Sequence, residues 1–405
     1  MTDVVPAART VTGVGADLAD RMAVLAEAVT DLGHRAGLAA VGIADASVME
    51  ETRRHLVERK RGGLHGAMAF TYRNPDRSTD PARIVPGARS MVVGAWDYRD
   101  DGDPCGRPPD GLPDGPLPSP DPPGPSARVA RYARADHYAQ VRDALAPIAA
   151  RLHAEGWQAK VVCDDNALVD RAAAHRAGIG WFGKNAMVLL PRTGSWCVLG
   201  AVVTDAPLPA APSLRAHGSG CGRCHTCLDA CPTGALVAPG VLDARRCLAW
   251  VLQAPGPIPA ELREAVGDRI YGCDDCQECC PVNQVAARRR PRPVGVLAGS
   301  ATAGDSGACP GPPPTAIPSV PVLALLAASD DELLARYGRW YIAGREPRYL
   351  RRNALVVLGN TGDGADPATV AALAGALGSD DPMIVEHAVW AARRLGRDDL
   401  SRSEV

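Results

Sequence analysis

The stretch Cys221-Gly-Arg-Cys224-His-Thr-Cys227-Leu-Asp-Ala-Cys231-Pro232 places four cysteines in the spacing C-x2-C-x2-C-x3-C-P. Bacterial proteins hold [4Fe–4S] clusters through cysteine thiolates in this spacing. Three of the four thiolates bind one cluster, and the fourth crosses to a neighbouring cluster. The motif therefore predicts a module folded around two clusters that transfer single electrons.

A second cysteine run supplies the remaining ligands. It reads Cys273-Asp-Asp-Cys276-Gln-Glu-Cys279-Cys280-Pro281, and Cys247 lies between the two runs. Cys279 and Cys280 compete for one role, and Cys280 is preferred because a proline follows it, as a proline follows Cys231. The crossing rule then predicts two sets of ligands. They are Cys221, Cys224, Cys227 and Cys280 for the first cluster, and Cys231, Cys247, Cys273 and Cys276 for the second.

Other uses of closely spaced cysteines fit less well. Disulfide scaffolds are short, secreted and dense in cysteine, whereas this chain has 13 cysteines in 405 residues and no recognisable signal peptide. Structural zinc sites usually pair two C-x-x-C knuckles across a loop. Four cysteines in one short run closed by a proline do not match that layout, and zinc is kept as the alternative metal.

The composition narrows the remaining classes of protein. A net charge of −2 excludes a globally basic nucleic-acid binder but leaves room for a local basic patch. No apolar run reaches the roughly eighteen residues that a membrane-spanning helix needs. Oxygen-sensitive clusters and free thiols indicate a reducing compartment, so we expect a cytoplasmic protein without a membrane partner.

Four modules follow from the patterns along the chain. Strands alternate with helices over residues 1–205, which predicts an α/β domain. Within this domain, residues 100–126 hold ten prolines and five glycines and are interpreted as a flexible insertion. The cluster module is expected over 206–287 and a Pro/Gly/Arg-rich linker over 288–321. Residues 322–405 are helical and suggest HEAT-like repeats, too few to bury a core without packing on the rest of the protein.

The individual elements follow from periodicity and from turn residues. The predicted helices cover residues 16–37, 137–155, 168–178, 350–359, 366–377 and 382–395. The predicted strands cover residues 39–45, 90–96, 158–162, 187–190 and 196–204.

With these modules in view, the chain resembles the epoxyqueuosine reductase family over nearly its whole length, apart from the two proline-rich segments. The order of the modules agrees, and the resemblance rests on the first cysteine run and on five further stretches. They are Gly87-Ala-Arg-Ser90, Ala130-Arg-Tyr-Ala-Arg134, Gly178-Ile-Gly-Trp-Phe-Gly-Lys-Asn185, Leu242-Asp-Ala-Arg-Arg-Cys247 and Arg269-Ile-Tyr-Gly-Cys-Asp-Asp-Cys-Gln277. The resemblance implies that the α/β domain is a cobalamin-binding reductase core similar to that of reductive dehalogenases.

The resemblance also implies a reaction. The family reduces the epoxide of epoxyqueuosine to the alkene of queuosine at the wobble position of tRNA. For this chain it implies two [4Fe–4S] clusters, cobalamin, tRNA with a GUN anticodon and a low-potential electron donor of the ferredoxin or flavodoxin type. The sequence lacks the D-x-H-x-x-G motif that gives cobalamin a histidine ligand, so we expect cobalt without protein histidine, in agreement with the family.

The resemblance points to Asp164 as the proton donor when Asp170-Arg171 is aligned with the acid-arginine pair of the family. Asp164 follows the predicted strand 158–162, and the carboxyl ends of strands are where α/β proteins bind ligands. Burial would raise the pKa of its carboxyl group and keep it protonated. Asp165 is the rival acid, and its simpler role is to cap the next helix.

The stretch 178–185 nearly matches the sequence motif of a phosphate-binding loop. However, Asn185 stands where that loop needs Ser or Thr, and a helix rather than a strand precedes it. A glycine that ends a helix is the simpler interpretation of Gly178. The resemblance assigns the corrin-binding role to five residues of this region: Trp181, Gly183, Lys184, Asn185 and Ser195.

Arginines are concentrated between residues 336 and 352, where six of them are accompanied by a single acid, Glu346. Such a run is often only a solvated face, but with the resemblance it predicts contact with the tRNA backbone. Arg345, Arg351 and Arg352 are the first candidates. Arginines 288, 289, 290 and 292 form a second basic group.

Two other functions remain open from the sequence. A cobalamin-dependent reductive dehalogenase would share the core, but such enzymes typically carry a twin-arginine export signal and no tRNA-binding tail. A non-catalytic carrier with a ferredoxin-type module would not need a large α/β domain with a positioned acid. Binding of cobalamin separates the carrier from both enzymes.

Overall fold

A computed structural model describes residues 12–99, 124–210, 220–288 and 317–400. The predicted insertion lies outside the described residues except for its last three positions, and the predicted linker lies outside them except for its two ends. Residues 289, 290 and 292 of the second basic group also lie outside. Among the helices of these ranges, none is long and apolar enough to cross a bilayer.

The helices are α1 (Thr12–Arg35), α2 (Glu50–Arg61), α3 (Pro75–Ser78), α4 (His137–Ala154), α5 (Asp170–Arg176), α6 (Thr226–Asp229), α7 (Leu248–Val251), α8 (Ala260–Val266), α9 (Asp275–Glu278), α10 (Pro281–Arg288), α11 (Val322–Ala327), α12 (Asp330–Tyr337), α13 (Arg348–Thr361), α14 (Pro367–Leu377) and α15 (Pro382–Arg394). The strands are β1 (Ala40–Asp45), β2 (Ser90–Asp97), β3 (Ser126–Val129), β4 (Ala159–Val162), β5 (Trp181–Phe182), β6 (Val188–Leu189), β7 (Cys197–Thr204), β8 (Leu236–Ala238), β9 (Val241–Leu242), β10 (Arg269–Tyr271) and β11 (Ser319–Pro321). Each helix and strand predicted from the sequence is present, with ends that differ by a few residues.

The N-terminal domain is built on a four-stranded sheet in the order β1-β2-β7-β4. Side chains alternate between its faces, as they do in any strand: Val92 and Val202 pack with α1 and α4, whereas Met91 and Val203 pack with α5 on the other face. All three strand pairs are antiparallel. The alternation of strands and helices therefore predicted the layers correctly, and Asp164 follows the carboxyl end of β4 as expected.

A second, three-stranded sheet in the order β10-β3-β11 connects the N-terminal domain, the cluster module and the helical tail. Its central strand β3 runs parallel to β10 of the cluster module and antiparallel to β11, which leads into the helical tail. The predicted insertion and the predicted linker therefore extend too far toward the C-terminus, since Ser126 begins β3 and Pro321 ends β11. Strands of three or four residues in proline-rich surroundings are too short to show a period of two.

The helical tail packs on the cluster module, as its small number of helices requires. One continuous core contains Leu252 and Ile270 of the cluster module together with Leu355 and Leu358 of α13. Asn353, which is fully buried, donates hydrogen bonds to the carbonyl groups of Leu252 and Ile270 at 2.8 and 3.0 Å. The tail and the cluster module therefore share one folding unit.

Arg352 is part of this junction and is not a tRNA contact. Its residue is 1% exposed, and its guanidinium donates to the carbonyl groups of Ala254 at 2.7 Å, Leu252 at 3.2 Å and Val251 at 3.3 Å, and to Gly256. Burial lowers its pKa to about 10. A charge enclosed in this way cannot reach a nucleic acid, so this tRNA-binding prediction was wrong; a run of arginines in sequence does not reveal which of them turns inward.

We expect Arg352→Met to destabilise the protein strongly, because several buried carbonyl groups would lose their donor. Each such group costs about 1–3 kcal/mol when left unsatisfied, so the free energy of unfolding should fall by about 3 kcal/mol or more. The neighbouring Arg351→Met is the matched control, since it removes a surface ion pair with Asp330 that is worth about 1 kcal/mol or less. Equal unfolding midpoints for the two variants in anaerobic denaturation would contradict this role of Arg352.

Candidate active site and cluster ligands

Cysteines of the first set are neighbours in the fold, although the described residues hold no group of three or more cysteine, histidine or acidic side chains at the distances of a bound metal ion. Burial, followed by the neighbouring thiols of Cys279, Cys221 and Cys280, raises the pKa of Cys227 to about 11. Cys227 and Cys280 are buried, whereas Cys221 and Cys224 lie nearer the surface. The proximity of Cys280 to Cys227 is what the crossing rule requires of a ligand that comes from the second run.

The cysteines of the second set are also neighbours in the fold. Burial and then the thiols of Cys273, Cys247 and Cys231 raise the pKa of Cys276. Cys231 accepts a hydrogen bond from the N–H of Ala235 at 3.2 Å. Hydrogen bonds from backbone N–H groups outweigh the burial of Cys231 and lower its pKa, as suits a thiolate that ligates a metal cluster.

Cys279 differs from Cys280 in its surroundings. Its thiol donates to the carbonyl group of Thr226 at 3.7 Å, and it is less buried than Cys280. Both thiols lie close to Cys227. The preference for Cys280 as the ligand therefore stays a prediction that rests on the following proline and on its burial.

Ser195 lies at the junction between the N-terminal domain and the cluster module. Its hydroxyl donates to Gln277 Oε1 at 2.9 Å and accepts from Asn283 Nδ2 at 2.8 Å, while its backbone N–H donates to Asn283 Oδ1 at 2.8 Å. The residue is 1% exposed. These bonds occupy its donors, so Ser195 positions the two modules against each other and the prediction that it contacts a corrin was wrong.

The stretch 181–185 is held against both cysteine loops. Lys184 Nζ donates to the carbonyl group of Gly222 at 2.8 Å, and Asn185 Nδ2 donates to that of Cys276 at 3.3 Å. A Cβ atom on Gly183 would lie 2.6 Å from Asn185 Oδ1, so a larger residue there would have to displace the Asn185 side chain. Lys184 and Asn185 are therefore better placed to connect the modules than to bind a ligand through their side chains.

Trp181 is the member of this stretch whose surroundings suit a ligand. Its indole Nε1 is buried and has no hydrogen-bond partner among the described residues. A Cβ atom on Gly220 would lie 2.7 Å from this nitrogen, so the chain approaches Trp181 as closely as a glycine allows. A buried donor without a partner is costly, and a polar group of a bound cofactor would satisfy it.

Asp164 stands on the loop that follows β4, with its backbone in the left-handed region at φ +51°. The carboxyl group of Asp164 is open to solvent on one side. Desolvation by the surrounding protein nevertheless raises its pKa; the charge of Arg142 opposes this shift, and the charge of Asp165 adds to it. Asp165 Oδ1 instead accepts a hydrogen bond from the N–H of Ala167 at 2.8 Å. Asp165 therefore closes a local turn, which leaves Asp164 as the better candidate acid.

Three further groups lie near enough to Asp164 to feel its charge, and sequence reasoning did not identify them as site residues. Burial, followed by the Asp164 charge, raises the pKa of Asp170, and its Oδ1 has no hydrogen-bond partner among the described residues. Burial likewise raises the pKa values of Tyr138 and Tyr271, and the charge of Asp164 adds to both shifts. Tyr138 belongs to α4 and Tyr271 to β10, so no local motif connects them.

The arginines proposed for tRNA differ in accessibility. Arg345 is exposed and donates to the carbonyl group of Gly338 at 3.1 Å. Arg351 is half-buried, pairs with Asp330 and donates to the carbonyl group of Ala328 at 2.7 Å. Arg345 is therefore the accessible member of the predicted set, and tRNA contact by Arg345 and Arg351 stays a prediction.

Comparisons with known proteins agree with this geometry. Residues 220–283 match a family model described as a 4Fe-4S double cluster binding domain. The chain is 34% identical over 391 residues to the epoxyqueuosine reductase of Pseudomonas aeruginosa, covering 92% of this chain and 95% of the relative. It is 30% identical over 378 residues to that of Bacillus cereus, covering 91% and 88%.

Solved structures extend the similarity to the fold. An epoxyqueuosine reductase crystallised with an epoxyqueuosine-modified tRNA-Tyr stem loop superposes with a TM-score of 0.76 at 26% identity and covers 95% of each chain. The Bacillus subtilis enzyme, with its catalytic aspartate loop swung out of the active site, gives a TM-score of 0.74 at 27% identity and covers 92% of this chain and 91% of its own.

Proposed function

The chain belongs to the epoxyqueuosine reductase family, and we propose that it reduces epoxyqueuosine to queuosine at the wobble position of tRNA with a GUN anticodon. The observation that carries the proposal is that one chain combines an acid of raised pKa, Asp164, with two sets of neighbouring cysteines. These are the parts that deoxygenation of an epoxide needs.

The reaction consumes two electrons and two protons, forms the alkene and releases the epoxide oxygen as water. Cobalamin, when bound, supplies the low-potential metal centre of this chemistry. Within the described parts of the chain, Trp181 Nε1 and Asp170 Oδ1 are buried without a hydrogen-bond partner, and each could bond to a polar group of the cofactor. Because the sequence lacks the D-x-H-x-x-G motif, the proposal includes no protein histidine as a ligand of cobalt.

Asp164 supplies the proton in this proposal. Desolvation raises its pKa, so the carboxyl group stays protonated to a higher pH than an exposed aspartate and can donate as the carbon–oxygen bond breaks. Asp170 is a neighbour of this acid, since the Asp164 charge adds to the effect of burial in raising the pKa of Asp170.

Electrons reach the site through the cluster module. Two [4Fe–4S] clusters on the eight cysteines would each carry one electron, so together they hold the two that the reaction consumes. The bonds of Asn185 and Ser195 to the second cysteine run fix the catalytic domain against the clusters. A fixed distance between the catalytic domain and the clusters favours rapid electron transfer. A low-potential donor of the ferredoxin or flavodoxin type would then reduce the clusters again.

Arg345→Gln should weaken tRNA binding in a salt-dependent way. An arginine that neutralises one phosphate contributes about one unit to the slope of log affinity against log salt, so the variant should show a slope smaller by about one and a higher KM for tRNA. Its unfolding midpoint should match that of the natural protein. Arg393→Gln, an exposed arginine of α15, is the control; equal affinities for the two variants would remove Arg345 from the tRNA surface.

Two side-by-side assays separate this function from the alternatives. The purified protein is reconstituted anaerobically with iron, sulfide and hydroxocobalamin and then offered epoxyqueuosine-containing tRNA or a brominated phenol. Formation of queuosine alone supports the proposal, and release of bromide alone supports a reductive dehalogenase. Failure to bind cobalamin, with clusters that still accept electrons, supports a non-catalytic carrier.

A further inference from the structure

A groove of about 770 Å³ opens on the cluster module beside the loops that carry Cys231 and Cys247. Cys231 immediately precedes Pro232 and Cys247 immediately follows Arg246, so two predicted ligands of one cluster are the direct chain neighbours of lining residues. The hydroxyl of Thr233 donates to the carbonyl group of Arg246 at 2.6 Å and ties the two walls together. The lining residues that matter here are Pro232, Thr233, Arg245, Arg246, Glu261 and Leu262.

The C-terminal end of α2 is fixed beside this groove. The N–H of Ala244 donates to the carbonyl group of Leu64 at 2.8 Å, and Trp250 Nε1 donates to that of Gly66 at 2.6 Å. Arg59 donates to the carbonyl group of Gly240 at 3.0 Å. The segment that follows α2 therefore runs along the loop that carries Arg245 and Arg246.

Positive charge is concentrated along this edge. The basic rim consists of the last three residues of α2 and the two arginines of the groove: Arg59, Lys60, Arg61, Arg245 and Arg246. Arg245 pairs with Asp243 at 2.7 Å, and no other member of the rim forms an ion pair within the described part of the chain. Lys60, Arg61 and Arg246 are exposed, so the rim keeps most of its charge for a partner.

We propose that the basic rim and the groove form the docking site for an acidic one-electron carrier protein that reduces the second cluster. This inference rests on the proposed function, which requires such a donor. In the transfer the reduced cofactor of the carrier loses one electron and the oxidised cluster gains it, without transfer of a proton. Complementary charge steers such encounters, and interfaces of redox partners are small, below about 1,200 Å².

The position of the rim favours a carrier over tRNA as its partner. In the proposed function the substrate nucleoside has to reach Asp164, and neither Asp164 nor the groups that feel its charge, Asp170, Tyr138 and Tyr271, line the groove. Phosphate binding does not depend on cluster ligands next to the groove. Electron transfer does, because its rate falls off steeply with the distance between carrier and cluster.

The double variant Lys60→Glu/Arg61→Glu tests the docking site without touching the cysteine loops. Cluster reduction is followed anaerobically by stopped-flow absorbance, with a reduced flavodoxin as the protein donor and photoreduced deazaflavin as the small donor. We expect the rate constant with flavodoxin to fall at least about tenfold at low ionic strength, the lower end of electrostatic steering effects, and to approach that of the natural protein at high salt. The rate with deazaflavin should not change.

The control variant is Arg21→Glu/Arg35→Glu, which makes the same change of charge on exposed positions of α1. Equal flavodoxin rates for the two double variants would overturn the docking site. A loss of tRNA affinity in Lys60→Glu/Arg61→Glu with an unchanged flavodoxin rate would also overturn the docking site and would assign the basic rim to tRNA binding. Failure of the natural protein to convert epoxyqueuosine with either donor would instead contradict the proposed function, because cluster reduction is measured separately.

Discussion

Asp164→Asn should lower turnover of epoxyqueuosine tRNA by roughly 10² to 10⁴, the range for loss of a general acid. Asparagine is the informative replacement because it keeps the size of the side chain and tolerates the left-handed backbone that Asp164 adopts at φ +51°. Both clusters, bound cobalamin and affinity for tRNA should be unchanged. Loss of rate would then report the missing proton and not a damaged site.

The matched control is Asp165→Asn. Asp165 accepts a hydrogen bond from Ala167, and its amide variant keeps an oxygen that can do the same, so activity should stay close to that of the natural protein. The pH profile adds a second test: turnover should decline as pH rises through the raised pKa of Asp164, because only the protonated form donates. A large loss in Asp165→Asn with an active Asp164→Asn would contradict the assignment.

Cys276→Ser should cost the protein about half of its iron. The eight predicted ligands imply about eight irons per chain in two [4Fe–4S] clusters, and Cys276 lies among the thiols of the second set. The electron paramagnetic resonance signal of the remaining cluster should persist, but turnover should be abolished because the path to the site is broken. Zinc in place of iron, or four irons in the natural protein, would contradict the two-cluster assignment.

Cys280→Ser and Cys279→Ser form the matched pair for the first cluster. The two cysteines are adjacent in sequence, and both lie near Cys227, but Cys280 is the more buried. We expect Cys280→Ser to lose the first cluster and Cys279→Ser to keep it. The reverse result would exchange their roles without changing the number of clusters.

The cysteine runs show how much of this molecule is readable from sequence. Ligand spacing is a local property, so the two runs predicted the module that a family model now matches over residues 220–283. Strands such as β2 and β7 were also predicted, because they are long and apolar. Asp164 was predicted because it follows a strand and because the resemblance pointed to it, and its role as the acid stays a prediction.

The errors share a physical cause, which is that contacts between distant segments leave no local pattern. Arg352 was expected on the surface, but it turns inward to carbonyl groups about one hundred residues earlier in the chain. Ser195 was expected at a ligand and instead bonds to Gln277 and Asn283 of another module. The three-stranded sheet that joins β3, β10 and β11 was missed for the same reason.

The most direct test of the central claim is a single-turnover experiment on epoxyqueuosine tRNA. The holoprotein is reduced anaerobically, separated from excess reductant and mixed with the tRNA, and the nucleosides are then analysed by mass spectrometry. Two reduced clusters hold two electrons, so we predict about one queuosine per chain, and none when cobalamin is left out or when Cys276 is replaced by Ser. Unchanged tRNA with the holoprotein, or equal conversion without cobalamin, would contradict the account.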